Sequence, residues 1–65
     1  MNHHVLSGKW SQLKGNVRKQ WGKLTQDDVD QVRGHAEILA GRIQERYGRA
    51  KEEACAEVEA WLARR

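Results

Sequence analysis

The chain has 65 residues, with twelve basic and nine acidic side chains, one cysteine and no proline, and a net charge of +3. At that length a single domain buries only about 60% of the surface its unfolded chain exposes, which allows one small core and excludes a deep catalytic cleft. The lone cysteine cannot form an intramolecular disulfide, and no stretch approaches the roughly 18 apolar residues of a membrane helix. A cytoplasmic protein without a membrane span is expected, and the N-terminus carries no charged-then-apolar secretory pattern.

In chain order, the single domain is expected to have its core over about residues 5–62, with residues 1–4 and 63–65 frayed. Trp10, Leu13, Val17 and Trp21 follow one another at intervals of three, four and four. At 100° per residue they fall within about an 80° stripe, which predicts an amphipathic helix. Lys9, Asn16, Lys19 and Lys23 lie away from that stripe, while Lys14 and Arg18 flank it and can lay their alkyl stems along its edge. Gly22 stands directly after the stripe, where a left-handed residue commonly ends a helix. Thr25, followed three residues later by Asp28, reads as an N-cap with its box partner. It opens a short helix from about Gln26 to Arg33 with Val29 and Val32 inward, and Asp27 and Asp28 favour its dipole.

Ala36, Leu39, Ile43 and Tyr47 form the next stripe, and Gly48 supplies its stop. The last helix is predicted from about Lys51 to Arg64, with Ala54, Cys55, Val58, Trp61 and Leu62 inward and Glu52 and Glu53 in its first turn. Its cap is weak, because Ala50 stands where a hydroxyl would add about 1 kcal/mol.

The six glycines form two equal triplets: a shift of 26 residues lays Gly8, Gly15 and Gly22 on Gly34, Gly41 and Gly48. The same shift pairs Leu13 with Leu39, Val17 with Ile43, Trp21 with Tyr47, Lys23 with Arg49 and Val32 with Val58. An internal duplication of this kind predicts an all-α, compact four-helix domain built from two similar α-hairpins packed on each other. Trp10, Trp21 and Trp61 are expected to be largely buried. Gly15 and Gly41 lie opposite their apolar stripes, where each costs a helix about 1 kcal/mol relative to alanine. Their repetition points to close backbone approach by a neighbour at one position at least. The alternative is a deliberate lowering of helix stability, so that the chain orders on demand.

Charge is unevenly spread. Residues 1–24 hold five basic side chains and no acid, whereas residues 25–65 hold seven basic and nine acidic ones. The first segment reads either as a solvated helix face or as a contact surface for nucleic acid or another anionic surface, through Lys9, Lys14, Arg18, Lys19 and Lys23. Stacking on Trp10 or Trp21 requires that one be exposed, and the stripe argues against it. Ile38 lies off the main stripe of its helix and offers leftover apolar surface for homo-oligomer or helix docking.

The inventory for chemistry is thin. His3 and His4 have no third ligand, and Asp28, Asp30 and Val32 fail the calcium-loop pattern at the valine, so no metal site is expected. Cys55 has no histidine at helical spacing and reads as a buried, inert thiol. Ser7 and Ser11 have no base nearby in sequence, and glycines spaced by seven do not make a phosphate loop. No catalytic residue, no cofactor and no enzymatic activity are expected. The partners left open are client proteins or nucleic acid, with the chain a monomer or weak homo-oligomer.

The runs Gly8 to Val17 (GKWSQLKGNV), Trp21 to Thr25 (WGKLT) with Asp27 and Asp28, Leu39 to Gly48 (LAGRIQERYG) and Lys51 to Ala54 (KEEA), ending at Trp61, together resemble the CsbD-like family of small bacterial stress proteins. The resemblance covers nearly the whole chain, from about Val5 to Trp61. It departs at Ala50, where the family usually has serine, and at Cys55. It implies two similar α-hairpins in a four-helix arrangement, abundance raised under general stress or in stationary phase, and no catalytic residues. The function it implies is that of a non-enzymatic small hydrophilic protectant or interaction module.

Overall fold

The computed structural model describes residues 3–64, and among them the chain is helical and contains no strand. Five helices follow in order: α1 (His3–Gly8), α2 (Trp10–Gln20), α3 (Gln26–Val32), α4 (Ala36–Tyr47) and α5 (Lys51–Ala63). The expectation of four helices is therefore corrected to five. The added element is α1, whose Leu6 is fully buried in the common core. A two-residue apolar run, Val5-Leu6, is too short to show a helical period, so the burial that stabilises α1 is tertiary.

α4 is the central element, packing on α5, α3 and α1, while α2 packs on α3 and α1. Its buried Leu39 and Ile43 meet Leu13 and Val17 of α2, Val29 and Val32 of α3, and Val58 of α5 in one continuous cluster. Trp21, in the turn after α2, reaches α5 directly: its ring lies edge-on to Trp61 with centroids 5.3 Å apart and planes at 64°. Aromatic pairs prefer this arrangement because a positive ring edge meets a negative face. Trp21 and Trp61 are buried as expected, at 2% and 1% exposure. Trp10 is only half-buried, packed against the edge of the core, and Cys55 is likewise half-buried. The inward placement expected of Trp10 and Cys55 is thus only partial.

Helix ends follow the local chemistry in most places. The Asp28 backbone N–H donates to Thr25 Oγ1 at 3.1 Å and the Thr25 N–H donates to Asp28 Oδ2 at 2.9 Å, completing the capping box of α3. Gly48 takes a left-handed φ of 66° and its N–H donates to the Gln44 carbonyl at 2.9 Å, closing α4. At α5 only half a box forms, with the Ala50 N–H donating to Glu53 Oε1 at 3.0 Å. Gly22 departs from expectation, since its φ is not positive. α2 stops one residue before Trp21, whose N–H still reaches the Val17 carbonyl at 2.9 Å, and burial of Trp21 directs the chain away.

The glycines expected to admit a neighbour do not. A methyl group at Gly15 or Gly41 meets no atom within 4 Å, so the packing account is overturned for both. Close approach occurs at Gly34 instead, where φ is +82° and an added Cβ lies 2.9 Å from the Ser7 Cα. There the end of α1 crosses the α3–α4 turn, and only glycine supplies both the left-handed backbone and the space.

Candidate functional site

α2 carries the cationic face. Its apolar edge, Leu13 and Val17, is buried, so helical geometry turns Ser11, Lys14, Gly15, Arg18 and Lys19 outward. All five basic residues singled out from the sequence, Lys9, Lys14, Arg18, Lys19 and Lys23, are exposed. Their surroundings differ. Arg18 Nη1 donates to Gln26 Oε1 at 3.1 Å, and Gln26 Nε2 donates in turn to Asp30 Oδ1 at 2.9 Å, which draws Arg18 toward α3. The Lys23 ammonium sits 5.1 Å from the centroid of the Tyr47 ring, a cation–π contact, while its backbone N–H donates to the Tyr47 hydroxyl at 3.1 Å. Lys14, Lys19 and Lys9 extend into solvent. Arg42, Arg46 and Arg49, in the second half of the chain, form ion pairs with Asp28, Glu45 and Glu57.

A second polar cluster ties the two turns together. Arg49 lies 5.2 Å from the same Tyr47 ring centroid, and its Nε pairs with Glu57 Oε2 at 2.6 Å. Glu57 Oε1 accepts from Trp21 Nε1 at 3.3 Å. The indole N–H is therefore satisfied within the fold, and neither face of Trp21 is open to a base. The sequence does not mark Tyr47, Arg49 and Glu57 as a group, because their contacts run between elements. The pairing of Lys23 with Arg49 and of Trp21 with Tyr47 under the 26-residue shift was the one available signal.

The third cluster is structural. Asp28 is 4% exposed and accepts from Arg46 twice, Nε to Oδ2 at 2.8 Å and Nη2 to Oδ1 at 3.1 Å. Arg42 Nε stands 3.9 Å from Oδ1, and Arg42 also donates to Gln31. The Arg46 hydrogen bonds, assisted by the Thr25 N–H and opposed by burial, hold the Asp28 carboxyl down from 3.8 to about 2. A carboxylate fixed in the charged state by a bidentate arginine is a clamp between α3 and α4, and it is unsuited to proton transfer near neutral pH.

Among the described residues, no three of His, Cys, Asp and Glu gather where they could hold a metal ion. No helix among them is long and apolar enough to cross a membrane. His35 precedes α4 without capping it, Cys55 is a free thiol, and Ile38 at 37% exposure is the large apolar side chain left at the surface.

What these elements define is a small all-helical protein with one cationic helix face and polar clamps at its turns. The family described as CsbD-like matches residues 4–55, and the chain belongs to it. A UPF0337 protein of Pseudomonas aeruginosa is 53% identical over 58 residues, covering 89% of each chain. A UPF0337 protein of Bordetella pertussis is 48% identical over 64 residues, covering 98% of this chain and 97% of its own. The UPF0337 protein YjbJ of Escherichia coli is likewise 48% identical over 64 residues, with 98% and 93% covered. No solved structure matches.

Proposed function

We propose that this chain is a non-enzymatic general stress-response protein, acting as a small hydrophilic protectant or interaction module whose order depends on conditions. Membership of the CsbD-like family supports the stress-response reading. The observation that carries the conditional part is the open space around Gly15 and Gly41. Each glycine weakens its helix by about 1 kcal/mol, and no packing contact repays it, in a domain whose whole stability is expected to be small. The 26-residue match supports descent of α2–α3 and α4–α5 from one duplicated α-hairpin, which placed the same weak point in both halves.

The test is circular dichroism under dilution, crowding and drying, with light scattering from a thermolabile client protein measured in parallel. Helix content should rise as water is withdrawn, and client aggregation should fall. A chain that is fully helical under all conditions and leaves aggregation unchanged overturns the proposal.

A further inference from the structure

We propose that the exposed face of α2 binds the phosphate backbone of duplex nucleic acid, without base readout or stacking, an activity separate from conditional folding. Lys14 and Arg18 lie on one side of that face and Lys19 on the other, about 100° to 140° apart around the helix, with Ser11 and Gly15 between them. No acidic residue occurs on α2 or anywhere before it in the chain. Asp30, reached through Gln26, bounds the face on the α3 side.

The duplication supplies an internal comparison for this face. Under the 26-residue shift Lys9, Lys14, Arg18 and Lys19 correspond to His35, Ala40, Gln44 and Glu45. Ala40 is buried and Gln44 half-buried in the packing of α4, so the exposed counterparts are His35 and Glu45, and neither place holds a lysine or arginine. Helix length and the central glycine recur, and the positive charge does not. A merely solvated face needs polarity, which the exposed Glu45 supplies as well as Lys19 does. A run of cations without acids is complementary to a polyanion.

The structure also selects among polyanions. Single-strand binding draws much of its strength from bases stacked on exposed aromatic faces. Here Trp21 and Trp61 are buried, Trp10 packs against the core, and Tyr47 is occupied by Lys23 and Arg49. A duplex requires no stacking and presents a negative charge about every 1.7 Å along its axis. A membrane-surface helix would insert an apolar face between lipids, and the apolar face of α2 is used up in the core. Lys23, held on Tyr47, is assigned to the fold, leaving Lys14, Arg18 and Lys19 as the principal contacts with Lys9 at their edge.

The experiment is fluorescence anisotropy of the full chain with a labelled mixed-sequence DNA duplex, the matching single strand, and vesicles of phosphatidylserine and phosphatidylcholine. Three phosphate contacts predict about a 40-fold loss of duplex affinity between 50 and 200 mM salt. Giving α2 the charges of its counterpart, Lys14→Ala with Arg18→Gln and Lys19→Glu, should abolish duplex binding and leave the circular dichroism spectrum unchanged. The control Lys51→Gln with Arg64→Gln, which removes two cations elsewhere, should keep most of the affinity. The proposal fails if duplex binding is absent or insensitive to salt, or if both variants weaken it equally. Tighter binding to the single strand or to vesicles than to the duplex overturns it as well.

Discussion

The two sequence repeats carry the same glycines at the same spacing and use them in opposite ways. Gly8 and Gly22 in the first repeat have ordinary backbone angles, while their counterparts Gly34 and Gly48 are left-handed, with φ of +82° and +66°. Trp21 is buried against Trp61, whereas its counterpart Tyr47 stays half-exposed between two cations. Asp28 is a buried carboxylate clamped by Arg46, and its counterpart Ala54 is a buried methyl group. Sequence identity at a position therefore does not fix its conformation. What decides is the neighbour: α1 crosses at Gly34 and nothing crosses at Gly8, so only one of an equal pair is constrained.

The largest expected contrast is between Trp21 and Tyr47. Trp21→Ala removes a fully buried ring and should destabilise by about 3 to 5 kcal/mol, enough to unfold a domain of this size. Tyr47→Ala loses a half-exposed ring and its two cation contacts, each worth about 0.5 to 1 kcal/mol at the surface, and should leave the protein folded. Urea titrations of both variants check the order. A folded Trp21→Ala with native-like amide dispersion would show that the indole is not central to the core.

Next comes the glycine pair at the start of each repeat. Gly34→Ala combines a left-handed alanine, at roughly 1 to 2 kcal/mol, with overpacking against Ser7 at roughly 1 to 3 kcal/mol. Gly8→Ala meets nothing and should be neutral or slightly stabilising. Equal melting temperatures for the two variants would mean that α1 does not cross at Gly34.

Gly34 and Gly48 together show what the sequence makes legible and what it does not. Thr25 and Asp28 announced the start of α3, and Gly48 the end of α4, because those signals act within four residues. The crossing at Gly34, the pairing of Asp28 with Arg46 eighteen residues away, and the Lys23–Tyr47–Arg49 stack depend on contacts between elements, which local periodicity does not encode. For the cationic face, α2's stripe was enough to place Lys14, Arg18 and Lys19 outside. It could not show that Lys23 is drawn into the fold.

The clamp gives a smaller, pH-dependent effect. Asp28→Asn keeps the size and removes the charge, and loss of a charge-assisted pair of this kind typically costs about 1.5 to 3 kcal/mol. The sign in the parent follows from the depressed carboxyl. With a value of 3.8 unfolded and about 2 folded, the clamp's contribution is complete above pH 4 and is lost as pH falls through 2. Melts of parent and Asp28→Asn should converge across that window. Parallel curves from pH 6 to 2 would remove Asp28 as the acid-sensitive group.

The smallest effects belong to the paired central glycines, where the two repeats should behave alike. Gly15 is exposed and Gly41 half-buried, and at both an added methyl group meets no atom within 4 Å, so Gly15→Ala and Gly41→Ala should each stabilise by up to about 1 kcal/mol, partly by restricting the unfolded chain. The sites lie in different helices and share no contact, so the gains should add in the double variant within a few tenths of a kcal/mol. Thermal melts read that directly. The functional consequence runs the other way: if weak helices are what make the protein responsive, the stabilised double variant is more helical in dilute buffer and gains less on crowding or drying. A variant that is more stable yet protects a client as well as the parent would separate stability from function, leaving a preformed surface as the working element.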